Sequence, residues 1–408
     1  MDYEYGIIGG GPAGYTAGML LAKKGHSVIL FEKELLGGTC LNKGCIPTKS
    51  MLHSSEIYHS VLNSEEIGIK TKILEFDFKK VIEKKDKITE KLRKSLELAV
   101  KHSGVKTVYA EACIKDKNTI LANGEEYNVS EIIYACGSKP REIKGLEFNH
   151  KFILSSDDVL NLKELPKSVL IVGSGAIGIE WARIFSNFGV ETTLVEMAEH
   201  LIPQADIDIS KRIERIFKGK GIKYYLNDSI ESINDKKVIL KSGTEISPEF
   251  ILAATGRVPV KPEIKGVSVL GDSCGEIQLA HYAIHQAKEF ALGITCDKSL
   301  IPAVIYGKPE IAWVGLREQD YTEDCKSINI PISALGKSWC DDSTEGFIKI
   351  ITQNNLIVGA HIISKEASAL IHELLIAIQN KLTISDLKKV CFAHPTYSEG
   401  IFELLLRT

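Results

Sequence analysis

The stretch Tyr5–Lys33, YGIIGGGPAGYTAGMLLAKKGHSVILFEK, decides the fold class, because its pattern returns at Val169 as VLIVGSGAIGIEWARIFSNFGVETTLVEM. The two segments align without gaps at a constant offset of 164 residues, which carries Gly9 to Gly173, Gly11 to Gly175, Gly14 to Gly178, Gly25 to Gly189 and Glu32 to Glu196. Each copy reads as strand, glycine turn, helix, strand. Gly6–Ile8 and Val169–Val172 are short and β-rich. The stretches that follow have helical length and close at Gly25 and Gly189, where a glycine suits a helix C-terminus. Val28–Phe31 and Thr192–Val195 return as strands.

That geometry implies a chemistry. The first glycine makes a tight turn, the second lets a pyrophosphate approach the backbone, and the third lets helix and strand pack closely. The helix N-terminus then faces the phosphates. Pro12-Ala13 and Ala176-Ile177 lie between the second and third glycines. Glu32 and Glu196 stand 18 residues past the third glycine, at a strand end, where a carboxylate can accept hydrogen bonds from ribose hydroxyls. A lone motif of this kind is often just a glycine-rich turn. Two copies in full context imply two bound nucleotides. Glu196 would repel a 2′-phosphate, and Met197-Ala198-Glu199-His200 offers no arginine to attract one, so NAD is favoured over NADP.

GGTCLNKGCIPTK, Gly37–Lys49, follows directly and holds Cys40 and Cys45. Pro47 fits the first turn of a helix, which puts Cys45 near the N-terminus, where the macrodipole favours a thiolate. Cys40 lies upstream in a glycine-rich approach, free to exchange. Two inert buried cysteines are the bland alternative. No metal site is expected, because zinc needs four ligands and no second Cys or His pair stands at suitable spacing.

Composition narrows the remaining possibilities. The 408 residues are 44% hydrophobic and 25% charged, with a net charge of -3. That gives no bulk electrostatic argument for nucleic acid or an anionic membrane. No apolar run is long enough to span a bilayer, and no secretory signal opens the sequence. Nine cysteines, mostly scattered singly, argue for a reducing compartment, and a cytoplasmic location is expected.

With these motifs the chain resembles the pyridine-nucleotide disulfide oxidoreductases along nearly its whole length, within them most closely the dihydrolipoamide dehydrogenases. GGTCLNKGCIPTK is the most specific element. Ala253-Ala254-Thr255-Gly256-Arg257, Gly271-Asp272, Leu279-Ala280-His281, Tyr306–Glu310 and His394-Pro395-Thr396-Tyr397-Ser398-Glu399 look like further family stretches. The resemblance implies an enzyme oxidising dihydrolipoamide with NAD through FAD. Cys40 would be the interchange thiol and Cys45 the thiol against the flavin. Lys49 would sit near the flavin and pair with Glu180, while His394 would be the acid–base group oriented by Glu399. FAD contacts would come from Gly9, Gly11, Pro12, Ala13, Gly14, Glu32, Lys33, Gly38, Thr39, Lys49, Gly137, Asp272, Leu279, Ala280 and His281. NAD contacts would come from Gly173, Gly175, Ala176, Ile177, Gly178, Glu196 and Gly256. The active unit would be a homodimer, with His394 reaching the other subunit. The partner would be a lipoyl-bearing protein of a 2-oxoacid dehydrogenase or glycine-cleavage complex.

The expected fold class is α/β. Two Rossmann-like, three-layer ββα units are expected, FAD-binding at 1–146 plus 258–298 and NAD-binding at 147–257, followed by an α+β dimerisation unit at 299–408. In that last unit strands are expected at Ile311–Val314, Phe347–Thr352 and Leu356–Ile363, and helices at Ala367–Asn380 and Ser398–Leu406. Asp86–His102 reads as a long helix with a solvated charged face. There are departures from the family. Only 14 residues separate Arg257 from Asp272, which predicts a more open cofactor pocket or a less tightly held FAD. Cys136 stands where threonine is usual, and Val260 where asparagine often follows. The rival readings are another disulfide reductase of the same architecture and a non-catalytic dimeric flavoprotein. Glu196, both cysteines, and a C-terminus without a cysteine pair weigh against them.

Overall fold

The computed structural model describes residues 2–321 and 323–407. In the first sheet Tyr3–Ile8 lies between parallel neighbours Val28–Glu32 and Glu125–Tyr134. Lys106–Tyr109 flanks Val28–Glu32, while Thr119–Ala122 and Ala112–Asp116 continue the other edge antiparallel. Helix Pro12–Lys23 carries its small residues Ala13 and Ala17, with Leu21, into one core with Ala283, Ala287 and Ala291 of helix Ala280–Leu292. Its chain then turns through Gly25 at φ 92°, the left-handed conformation that lets a helix stop and a strand begin.

The repeated segment builds a second, all-parallel sheet. Its order is Lys223–Tyr225, Glu191–Val195, Ser168–Val172, Phe250–Ala253, Ile153–Leu154. Helices Ala176–Asn187 and Ile207–Gly219 pack on one face. A small antiparallel sheet, Ile230–Asn234 with Lys237–Leu240 and Glu245–Ile246, covers the other through Val238 and Leu240. The chain order reverses on either side of Ser168–Val172, which opens a crevice at Gly173, the kind of switch point where nucleotides bind. A two-stranded ribbon, Ser138–Pro140 with Arg257–Pro259, carries the chain in and out of this unit. The third unit is a five-stranded antiparallel sheet with helices Ala367–Gln379 and Glu399–Leu405 against its core.

Some expectations need correction. The charged helix starts at Phe78, not Asp86, with Asp77 accepting from the Lys80 N–H at 3.3 Å as its cap. Its first apolar positions, Phe78, Val81 and Ile82, are diluted by lysines, which hid the helical period. In the added first turns Lys85 is buried and donates to the Leu160 carbonyl at 2.9 Å. The short segment after Arg257 still completes the first sheet, because Ser268–Val269 pairs parallel with Glu125–Tyr134. The glycine-rich approach to Cys40 is a helical turn, Gly38–Asn42. Among the described residues, no helix is long and apolar enough to cross a membrane.

The second and third units are joined by a buried charge cluster. Lys349, in the middle of strand Phe347–Gln353, has no exposed surface. Its ammonium lies 2.7 Å from Asp206 and 2.8 Å from Asp208, and also contacts Glu318. The three carboxylates together could surround a metal ion, but the lysine occupies their centre. Removing one partner of a buried pair costs about 3–5 kcal/mol, because the remaining charge is stranded. Lys349→Met should therefore lower the unfolding free energy read from urea denaturation by that order, and adding Asp206→Asn should recover part of it. A Lys349→Met protein as stable as wild type in urea would refute the role of the cluster.

Candidate active site

The redox loop is shaped by its glycines. Gly37 and Gly38, both with positive φ, turn the chain into Gly38–Asn42. Gly44 then lies so close to the Thr39 carbonyl that a Cβ would sit 3.0 Å from it. This close return seats the start of helix Cys45–Leu62 on the Cys40 turn. The Asn42 amide ties the loop down by donating to the Leu36 and Gly38 carbonyls at 3.1 and 3.0 Å.

Cys40 and Cys45 are both thiols, hydrogen-bonded to each other. Cys45 is the first residue of an 18-residue helix. Cys40's hydrogen bond holds the Cys45 thiol down at about 7, burial opposes this, and the Lys49 charge one turn on reinforces it. Donating that bond, and burial, push Cys40 far up. In the reduced pair one thiolate and one thiol are thus distinguished.

Lys49 reaches across to the second unit, 2.8 Å from Glu180 on helix Ala176–Asn187. Burial works against its charge, but Glu180 outweighs this and raises the lysine above its ordinary range. The Lys49 ammonium also lies 4.8 Å from the centre of the Tyr306 ring. Glu180 accepts from the Tyr306 N–H at 3.1 Å, and Arg183, one turn further along the same helix, donates to the Tyr306 carbonyl at 2.9 Å. Sequence reasoning missed the parts played by Tyr306 and Arg183; nothing local in the sequence marks a contact spanning more than a hundred residues.

The glycine turns differ in the room they leave for a nucleotide. A Cβ on Gly14 or Gly178 would lie 1.9 Å from the carbonyl of Gly9 or Gly173, so these positions serve packing. At Gly11 the nearest atom to a Cβ is 3.9 Å away, and at Gly175 nothing lies within 4 Å. Both open positions cap helix N-termini, at Pro12-Ala13 and Ala176-Ile177, and suit phosphate groups. Glu32 accepts from the Gly10 N–H at 2.7 Å and Glu196 from the Ser174 N–H at 2.7 Å, so both carboxylates sit on the turn rims. Thr39 lies in the Cys40 turn, and Lys33 is exposed, 3.9 Å from Glu111.

Asp272 accepts from Ser138 Oγ at 2.6 Å, and Arg257 donates to that same oxygen at 2.8 Å and to the Ser138 carbonyl at 2.7 Å. The Gly137 N–H donates to Ser273 at 2.8 Å, and Gly256 turns the chain into Arg257 with φ 94°. Cys136, in place of the usual hydroxyl, directs its thiol at the Ile8 carbonyl 3.6 Å away. Leu279 and Ala280 begin helix Ala280–Leu292, where His281 donates to the Pro302 carbonyl at 2.8 Å.

His394 and Glu399 form a pair of their own, with Nδ1 2.8 Å from the carboxylate. The second Glu399 oxygen accepts from the Thr396 N–H at 2.8 Å. The imidazole is 77% exposed and makes no hydrogen bond to either cysteine within the chain. The structure thus assembles Cys40, Cys45, Lys49 and Glu180, and leaves His394 and Glu399 facing outward.

A family model described as pyridine nucleotide-disulphide oxidoreductase matches residues 3–283, and one for that family's dimerisation domain matches 301–405. The chain belongs to the pyridine nucleotide-disulphide oxidoreductases. The family's flavin-dependent disulfide chemistry, with FAD and NAD(H) as cofactors, is therefore that of this chain. Its dimerisation domain fits it to pair with a second copy. A dihydrolipoyl dehydrogenase of Bacillus subtilis is 32% identical over 99% of this chain and 98% of its own length. The protein of that name from Mycoplasma genitalium is 30% identical over 99% and 98%. Among solved structures, LpdA from Mycobacterium tuberculosis shares the fold with a TM-score of 0.91 at 21% identity, over 99% of both chains. The HOCl-induced flavoprotein disulfide reductase RclA from Escherichia coli does so at 0.87 and 24%, again over 99% of both.

In this oxidoreductase the Cys45 thiolate draws on the Lys49 charge. Alkylation of Cys45 in the reduced protein, followed by peptide mass, should show a midpoint near pH 7. Lys49→Met should move it up towards the ordinary thiol value of about 8.5. An unchanged midpoint would show that the lysine does not support the thiolate.

Proposed function

We propose that the chain oxidises dihydrolipoamide to lipoamide with NAD, using Cys40 and Cys45 as the exchanging disulfide. Residues 1–146 and 258–298 hold FAD, 147–257 hold NAD, and 299–408 receive the second subunit. The observation that carries this reading is the polarised thiol pair. Cys45 is held near 7 beside a Cys40 pushed far up, with Lys49 and Glu180 alongside. The near full-length similarity to proteins named dihydrolipoyl dehydrogenase supports the substrate.

The reaction starts from the oxidised pair. One substrate thiol loses its proton and attacks Cys40, breaking the Cys40–Cys45 bond, and Cys45 leaves as the thiolate that Lys49 and its helix favour. The second substrate sulfur then displaces Cys40, which closes the lipoamide ring and leaves the protein reduced by two electrons. His394 of a second copy takes the substrate proton. Its Glu399 partner fixes which nitrogen is free to do so: with Nδ1 bonded to the carboxylate, Nε2 is left to accept. Bound FAD and NAD supply the two-electron outlet that restores the disulfide. Gly9, Gly11, Pro12, Ala13, Gly14, Glu32, Lys33, Gly38, Thr39, Gly137, Asp272 and Leu279–His281 line the first cofactor's site. Gly173, Gly175, Ala176, Ile177, Gly178, Glu196 and Gly256 line the second's. The Glu196 carboxylate favours NAD. The reduced lipoyl group would arrive on a carrier protein of a 2-oxoacid dehydrogenase or glycine-cleavage complex.

Anaerobic addition of dihydrolipoamide to the FAD-loaded protein should change its visible spectrum, and NAD should then yield NADH. His394→Gln should slow turnover by about 10²–10⁴-fold with the spectrum intact. If dihydrolipoamide leaves the spectrum unchanged while another dithiol or NADPH alters it, the substrate assignment fails.

A further inference from the structure

Tyr306 follows directly on Ala303–Ile305, an edge strand of the dimerisation unit's sheet, yet both of its backbone groups are gripped by helix Ala176–Asn187 of the second unit. Glu180 holds its N–H and Arg183 its carbonyl. Arg183 is buried, at 2% exposure, and its side chain fills the space beside Gly307, where a Cβ would lie 2.3 Å from the guanidinium. Only a glycine next to Tyr306 admits this arrangement, and Gly307 takes φ 141°. The effect is to lock the peptide that carries the Tyr306 ring. The ring faces the Lys49 ammonium at 4.8 Å, within the range of a cation–π attraction.

We propose that Tyr306 is a positioning residue for Lys49, holding the ammonium between Glu180 and the redox helix, so that the dimerisation unit of each chain sets the reactivity of that chain's own Cys45. This rests on the reading of Cys40–Cys45 as the exchanging pair. Glu180 alone could hold the lysine anywhere on an arc around its carboxylate. The ring adds a second point of attraction and selects one side of that arc. Arg183 and Gly307 serve the site indirectly, by fixing where the ring stands.

The test uses the FAD-loaded dimer and the pH midpoint of Cys45 alkylation. Tyr306→Phe keeps the ring and should leave the midpoint in place. Tyr306→Leu should raise it by about half a pH unit, a roughly threefold loss of thiolate below the midpoint. Should the leucine variant fold poorly, phenylalanine bearing two or four ring fluorines at position 306 keeps the shape and weakens the negative face. The midpoint should then rise stepwise with fluorination, which a purely structural ring would not cause. A flat response to fluorination, with Lys49→Met still raising the midpoint, overturns the proposal and leaves the site reading intact. A midpoint unmoved by Lys49→Met overturns both.

Discussion

The Lys49–Glu180 ion pair is the contact on which the rest of the arrangement turns. It joins the redox helix of one unit to the nucleotide helix of another, with Glu180 buried. A pair so placed gains little stability, since desolvation offsets most of the attraction. What it adds is registry. The same two helices are also joined by Asn187 to Ser55 at 3.2 Å, and Met51 and Leu52 share a core with Ile179, Phe185 and Phe188. Ile305, Ile311 and Phe347 of the third unit enter that same core. The three units therefore meet around the redox helix, and a shift of any one of them would disturb the charges near Cys45.

The thiol pair shows why such registry matters. A thiol of about 7 is about half ionised at neutral pH, whereas one left at the ordinary value of about 8.5 would be about three per cent ionised. A thiolate matched to ambient pH is both available and nucleophilic enough to exchange. The asymmetry with Cys40 assigns direction, because the better-stabilised sulfur is the better leaving group. Helix position, the neighbouring thiol and Lys49 each contribute, and none of them is a local property of cysteine.

Much of this was legible in the sequence, and the limits have a physical pattern. The two nucleotide turns could be read because sterics dictate their glycine spacing: Gly14 and Gly178 touch carbonyls that no side chain could share a place with. The helix at Cys45 was readable from Pro47. The Lys49–Glu180 contact was accessible only through resemblance, since nothing periodic links positions 131 residues apart. Lys85, Lys349 and Arg183 were not singled out, because a buried charge looks like a solvated one until its partner is known. Lysine density likewise concealed eight residues at the start of the helix Phe78–His102.

The ribbon formed by Ser138–Pro140 and Arg257–Pro259 bears on how the molecule is made. It splits the first unit in time as well as in sequence. During synthesis the amino-terminal sheet emerges without Ser268–Val269, without Asp272, and without the helix Ala280–Leu292 that packs on Pro12–Lys23. Those pieces leave the ribosome only after the whole inserted unit, about ten seconds later at ordinary rates of translation. The first cofactor cradle is thus unfinished until the second has been made. A chain truncated anywhere within the insertion would lack the strand Ser268–Val269 and the helix Ala280–Leu292 that complete the first unit, so that unit closes only in nascent chains that have passed the second.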